Sequence, residues 1–200
     1  MVLVTHPAPD FTAAAVLGNG NIIEKFNFIE HVNGKMCVLF FWPMDFTFVC
    51  PSELIAFNKR YQEFQKRDVE VIGVSSDSQF VHNAWRKTPI NRGGVGDIQY
   101  TMVADIKHEI QKSWGIEHPQ IGVALRASFL IDQVGIVRHQ VVNDLPLGRN
   151  INEMLRMVDA LNFYEKNGEV CPAQWEKGKN GIIASPDGIS QYLDMHIDQL

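Results

Sequence analysis

Between an apolar run ending at Trp42 and a helical pattern starting near Cys50 lies Pro43-Met44-Asp45-Phe46-Thr47-Phe48-Val49-Cys50-Pro51-Ser52-Glu53. Cys50 falls in the first turn of that helix. Backbone N–H groups there lack intrahelical acceptors, and the positive end of the helix dipole favours an anion. A thiol so placed is biased toward thiolate, the nucleophilic form. Thr47, three residues earlier, can turn its hydroxyl toward the sulfur as donor and acceptor, and Pro43 can cover one side and limit solvent. The cysteines Cys37, Cys50 and Cys171 are odd in number and widely spaced, so some of the thiols are expected to be free. Cys37 sits inside an apolar run and reads as core.

The elements that must position Cys50 follow from periodicity. Phe11 to Val16 and Ile22 to Phe28 read as strands around Leu17-Gly18-Asn19-Gly20, whose Asn-Gly pair suits a hairpin turn. Met36 to Trp42 is a continuous apolar strand of the kind buried on both faces. Leu54, Phe57, Tyr61 and Phe64 recur at helical spacing from about Cys50 to Arg67-Asp68, with Pro51 suited to the first turn. Val69 to Val74 reads as a strand, and Gln79 to Lys87 as a helix with Phe80, Val81, Ala84 and Trp85 on its inner side. After the glycine-rich loop Arg92 to Asp97 come a strand at Tyr100 to Ala104 and a short helix at Lys107 to Trp114. Ala127 to Ile131 and Ile136 to Val142 form a hairpin, and Asn152 to Glu165 is an amphipathic helix with Gly168 as its C-cap. Periodicity fades from Val170, and the end of the chain reads as an arm. A parallel βαβ unit, an antiparallel hairpin and a closing helix make an α/β chain with a mixed central sheet, in the order of a thioredoxin-like domain.

Composition excludes other classes. The chain of 200 residues is 46% apolar and 20% charged, and 18 basic against 23 acidic residues give a net charge of −5. That is ordinary for one globular domain and argues against a nucleic-acid binder driven by phosphate contacts. The longest apolar run, Val38 to Trp42, is far short of the ~20 residues needed to span a bilayer. Met1 to Asp10 lacks the charge and apolar core of a secretory signal, so a cytoplasmic home is expected. Position 112 is Lys where a zinc-protease helix starting at His108-Glu109 needs His, and no cysteines have C-x-x-C spacing, so no metal is expected. Ile23 breaks a dinucleotide fingerprint at Gly18-Asn19-Gly20, no phosphate-binding loop occurs, and Asp77 breaks a nucleophile elbow at Gly73-Val74-Ser75. No cofactor is expected.

With those excluded, the pattern P-x-x-x-T-x-x-C, as Pro43, Thr47 and Cys50, followed by Val170-Cys171-Pro172, resembles the typical 2-Cys peroxiredoxins of the alkyl hydroperoxide reductase C group. Further matches run along nearly the whole chain: Ala8-Pro9-Asp10-Phe11, Gly73 to Ser78, Ala84-Trp85, Thr88-Pro89, Asp105, Ser128 to Asp132 and Leu147-Gly148-Arg149-Asn150. The resemblance implies a thiol-dependent peroxidase on a thioredoxin-like fold, acting on hydrogen peroxide and organic hydroperoxides. By its implication Cys50 is the peroxidatic cysteine, which becomes a sulfenic acid. Thr47 and Arg126 orient the peroxide, Pro43 shields the site, and Cys171 is the resolving cysteine, coming from a partner subunit. Glu53 and Arg149 correspond to an ionic network around the arginine, and Trp85 to a packing neighbour.

The same resemblance implies a peroxiredoxin domain at 1–168, an arm at 169–200 that carries Cys171, and a homodimer that assembles as a decamer of five dimers. Reduction would come from a thioredoxin-like or flavoprotein disulfide reductase. The rival classes are a thioredoxin-like oxidoreductase, which needs the missing C-x-x-C, and an oligomeric holdase chaperone or peroxide-sensing scaffold. Members easily over-oxidised carry Gly-Gly-Leu-Gly and a C-terminal Tyr-Phe, where this chain has Gly93-Gly94-Val95-Gly96 and Tyr192-Leu193. Both elements are present and altered, so intermediate sensitivity to sulfinic acid formation is expected.

Overall fold

The computed structural model describes residues 1–199. Two compact units divide between Ile151 and Asn152.

The first unit opens with β1 (Thr12–Val16) and β2 (Ile22–Asn27), the expected antiparallel hairpin, and α1 (Phe28–Val32). Then come β3 (Met36–Phe41), α2 (Cys50–Lys59), α3 (Tyr61–Gln65), β4 (Val69–Ser75) and α4 (Gln79–Lys87). The unit continues with β5 (Thr101–Ala104), α5 (Glu109–Ser113), β6 (Arg126–Ile131) and β7 (Val137–Asn143). One seven-stranded sheet runs β2-β1-β5-β4-β3-β6-β7. The β3/β4 and β4/β5 pairs are parallel and the other four antiparallel, which makes the sheet mixed, a thioredoxin-like α/β arrangement.

β3 is fully buried, as its unbroken apolar sequence requires. Its alternate residues Cys37, Leu39 and Phe41 enter a core with Ile72, Val103, Trp114 and Phe129. Phe40, from the other set, stacks on Phe57 of α2 at 4.0 Å. Burial, with the charge of Glu70 adding to it, pushes the Cys37 thiol well up, so this cysteine is an inert core residue.

Two expectations are corrected. The single helix expected from Cys50 to Arg67 is interrupted at Arg60, whose N–H donates to Phe57 O at 3.0 Å, one residue short of the α-helical partner. That tightened turn splits it into α2 and α3 while keeping Phe57 and Phe64 buried. The inner face of α4 is Gln79, His82, Trp85 and Arg86, and Phe80 is 65% exposed. Polar groups occupy this face because tertiary partners satisfy them: Arg86 donates to Leu17 O and Gly18 O at 2.7 and 2.9 Å, and His82 meets Asp45 and Val103 O.

The second unit begins within α6 (Ile151–Asn167), which ends where Gly168, at φ 71°, donates to Tyr164 O. Trp175 is buried, packs against Phe163 with the rings inclined at 46°, and its carbonyl accepts from Arg156 at 2.8 Å. The segment read as an arm contains a further helix, α7 (Pro186–His196), capped by Ser185 with Pro186 in its first turn.

Candidate active site

Cys50 opens α2, and no solvent reaches it. Pro51, next in the chain, has no N–H, and the Ser52 and Glu53 amides are bonded to Val49 O, so the turn is closed around the thiol. Glu53 follows one helical turn later on the same face. Its carboxylate is 2% exposed and lies between two guanidinium groups.

Those guanidinium groups come from far along the chain. Arg126 starts β6, which lies beside β3, the strand that leads to the Cys50 loop. Its Nη1 lies 3.3 Å from Cys50 Sγ and 2.8 Å from Glu53 Oε2, and its Nε donates to Leu145 O at 2.5 Å. Arg149 donates from its backbone N and Nε to Glu53 Oε1 and from Nη2 to Oε2, at 2.8–2.9 Å. Its Nη1 holds Ala127 O and Ser128 Oγ, and the guanidinium lies over the Phe40 ring at 5.4 Å from the centroid. Burial alone would raise the Glu53 carboxyl, but the Arg149 hydrogen bonds and charge, with the Arg126 charge, outweigh it and hold the group below its ordinary value. Two cations around one buried carboxylate leave an excess positive charge beside the sulfur, the complement of an anionic thiolate.

The loop between β3 and α2 is fixed from below. Trp42 Nε1 donates to Asp45 Oδ1 at 2.8 Å, His82 Nδ1 lies 2.7 Å from Asp45 Oδ2, and the Asp45 N–H donates to Asp77 Oδ2. Burial raises the Asp45 carboxyl, although the His82 and Trp42 hydrogen bonds oppose it. Phe46 takes a left-handed φ of 53°, a conformation uncommon for a bulky residue, and packs on Trp85 at 5.7 Å. Thr47 Oγ1 donates its proton to Met44 O at 2.9 Å, which leaves its lone pairs to accept from a bound molecule. Pro43 is buried, and its carbonyl accepts from Ser76 Oγ.

The structure thus brings Cys50, Glu53, Arg126 and Arg149 into one bonded cluster and sets Trp85 under the loop, its indole donating to Gly93 O at 2.8 Å. Cys171 belongs to the second unit. Its Sγ lies 3.5 Å from Ala160 O, and burial raises its thiol against the opposing charge of Arg156. All three cysteines are free thiols. Asp45, His82 and Leu145 also support the loop and the cluster and carry no role in the sequence reading, while Asp77 and Ser128 enter it only within stretches that match the family; the Trp42-to-Asp45 spacing is the one local signal for the first of these. Among the described residues no group of three or more His, Cys, Asp or Glu is placed to hold a metal ion, and no helix is long and apolar enough to cross a membrane. A buried thiol, an excess positive charge and fixed N–H donors can carry out nucleophilic attack on a polarisable bond while stabilising the departing anion.

Comparison with known proteins agrees with this chemistry. Residues 4–140 match the AhpC/TSA family, and residues 160–195 the C-terminal domain of 1-Cys peroxiredoxin. Alkyl hydroperoxide reductase C of Buchnera aphidicola subsp. Baizongia pistaciae is 63% identical over 97% of this chain and 98% of its own. The protein of that name from Helicobacter pylori is 52% identical over 96% of each. The reduced 2-Cys peroxiredoxin of Plasmodium vivax superimposes with a TM-score of 0.93 at 44% identity, covering 98% of this chain and all of its own.

Proposed function

From the premise that this chain belongs to the AhpC/TSA family and is a thiol-dependent peroxidase, we propose that Cys50 is its peroxidatic cysteine and Cys171 its resolving cysteine. The observation that carries this reading is the buried Arg126 guanidinium, which bridges Cys50 Sγ and Glu53 Oε2. The Cys50 thiolate attacks the terminal oxygen of a hydroperoxide. The S–O bond forms as the O–O bond breaks, sulfur loses two electrons, and the departing alkoxide or hydroxide takes a proton to leave as alcohol or water. Arg126 and the Cys50 backbone N–H hold the oxygens in line and stabilise the leaving charge, Thr47 accepts the hydrogen bond of the hydroperoxide, and Pro43 limits water. Glu53 and Arg149 hold the Arg126 fork, and Trp85 supports the loop.

The sulfenic acid then condenses with the Cys171 thiol of a partner subunit, giving a disulfide and water. A thioredoxin-like or flavoprotein disulfide reductase supplies two electrons and two protons to restore both thiols. The arm at 169–200 delivers Cys171 from the domain at 1–168, the assembly is a homodimer in a decamer of five dimers, and the setting is cytoplasmic. Peroxide consumption and non-reducing electrophoresis test the assignment. Cys50→Ser is expected to consume no peroxide, and Cys171→Ser to lose the linked dimer; a Cys50→Ser protein with wild-type turnover would overturn it.

A further inference from the structure

Residues 170–182 of the second unit close into a loop bonded to itself. Val170 and Ile182 exchange both backbone hydrogen bonds at 2.9 Å, the Trp175 N–H donates to Pro172 O, and its indole donates to Lys179 O at 3.2 Å. Cys171 stands at the base of this loop, which can leave α6 without breaking these internal bonds. A different set of contacts ties it to the helix. The Trp175 ring lies against Phe163, the Cys171 thiol donates to Ala160 O at 3.5 Å, Lys177 Nζ lies 3.3 Å from Asp159 Oδ1, and Arg156 Nη1 donates to Trp175 O at 2.8 Å. These polar ties differ in strength. A thiol is a weak donor, and the Lys177 side chain is 67% exposed, where an ion pair contributes little. Arg156 is the strong one: its Nε and Nη2 are both held by the Glu153 carboxylate at 2.7 Å, a bidentate pair that aims the remaining Nη1 at the loop carbonyl.

The docked loop stores its thiol in an unreactive form. The attacking species in disulfide formation is the thiolate, whereas here the S–H is donated to Ala160 O and burial raises the Cys171 thiol, the Arg156 charge offsetting only part of that rise. Cys50 in turn exposes no surface, and a disulfide needs its two Cβ atoms within about 4.5 Å of each other. Forming that bond takes the Cys171 sulfur away from Ala160 O, and the loop with it from α6.

We propose that Arg156 is the positioning residue of the resolving step, the latch whose release from the Trp175 carbonyl frees the Cys171 loop to condense with oxidised Cys50. This rests on the reading of Cys171 as the resolving cysteine. In that step the Cys171 sulfur attacks the sulfenic sulfur of Cys50, the S–S bond forms as the S–O bond breaks, and the departing hydroxide takes the thiol proton to leave as water. The sign of the effect separates a latch from a charge. Removing a cation beside the docked thiol raises that thiol further and slows resolution, while removing a latch speeds it.

Reduced full-length protein mixed with hydrogen peroxide and quenched in acid at successive times gives both rates: Cys50 oxidation by intact-mass spectrometry, and disulfide formation by non-reducing electrophoresis. Arg156→Gln is expected to raise the rate of disulfide formation relative to that of Cys50 oxidation about tenfold or more, the range for loss of a hydrogen bond to a charged group. Arg156→Lys keeps a charged donor for the carbonyl and should fall between the two. Glu153→Gln loosens the fork from an exposed position and should give a smaller rise in the same direction, which decides the matter if Arg156→Gln does not fold. Disulfide formation that is unchanged or slower in Arg156→Gln, or in Glu153→Gln where that variant stands in for it, would overturn the proposal, as would a Lys variant as fast as the Gln variant. A linked dimer that persists in Cys171→Ser would overturn the reading of Cys171 itself.

Discussion

Replacing Arg126 by alanine removes the contact to Cys50 Sγ, the bond to Glu53 Oε2 and the bond to Leu145 O together. Glu53 keeps its bonds to Arg149, so its charge stays paired and the helix that carries Cys50 retains its anchor. The size of the kinetic loss separates two roles for the arginine. If it acted only by keeping a thiol ionised, the effect would be small. Moving a thiol between pKa values of ~6 and ~8.5 changes the thiolate fraction at about pH 7 roughly thirtyfold. The accompanying change in nucleophilicity, at a Brønsted slope of ~0.4–0.5, offsets about ten- to eighteenfold of that and leaves roughly two- to threefold. Loss of a donor that stabilises charge in the transition state costs about 100- to 1,000-fold. Arg126→Ala should therefore reduce the rate of peroxide reduction by about two orders of magnitude or more. Single-turnover stopped-flow with reduced protein measures that rate, and alkylation of Cys50 by iodoacetamide across pH measures thiolate on the same samples. Peroxide and alkylation rates that fall by the same factor, or a peroxide rate restored once the thiol is ionised at alkaline pH, would instead limit the arginine to ionising the thiol.

Other outcomes follow from the same cluster. Glu53 is held below its ordinary value, so its contribution to stability is complete above the usual carboxylate range and is lost as pH falls through the lowered value. Thermal unfolding of the wild type should drop in that acid window, while Glu53→Gln should show a shallower drop and a loss of about 3–5 kcal/mol at neutral pH from two unpaired buried guanidinium groups. Cys37→Ala should keep full peroxide turnover, and native alkylation should leave Cys37 unmodified; modification of Cys37 at the rate of Cys50 would contradict its burial. Mass spectrometry after turnover at rising peroxide should find Cys50 sulfinic acid at intermediate doses, because Gly93-Gly94-Val95-Gly96 and Tyr192-Leu193 keep part of each sensitivity element; complete resistance would count against this.

Much of the sheet was legible because it rests on local signals. The Asn19-Gly20 turn, the unbroken apolar run of β3 and the helical spacing after Cys50 each fix one element from neighbouring residues. What was missed depended on partners distant in sequence. The buried face of α4 is polar because carbonyls of Leu17, Gly18 and Val103 satisfy it, and an amphipathic pattern cannot register that. The break at Arg60 is a change of hydrogen-bond step with no glycine or proline to announce it. In contrast, the Ser185-Pro186 start of α7 is a local helix-start signal, set in a stretch whose apolar periodicity has faded. At the site, Pro43, Thr47 and Cys50 lie within one loop and the first turn of one helix, so their grouping is readable from neighbouring residues, whereas Glu53, one turn further on, takes its role from the family resemblance. Arg126 and Arg149 join them only because β6 lies beside β3, and family resemblance alone pointed to them from sequence.

Oxidation of the Cys50 sulfur by peroxide is the step on which all the later chemistry depends. Reduced Cys171→Ser protein, treated with one equivalent of hydroperoxide in the presence of dimedone and digested for mass spectrometry, tests it most directly. A dimedone adduct on Cys50 is expected, with no adduct and no peroxide consumption when Cys50→Ser is added to the same protein. An adduct on Cys37, or peroxide consumption that survives the loss of Cys50, would contradict it.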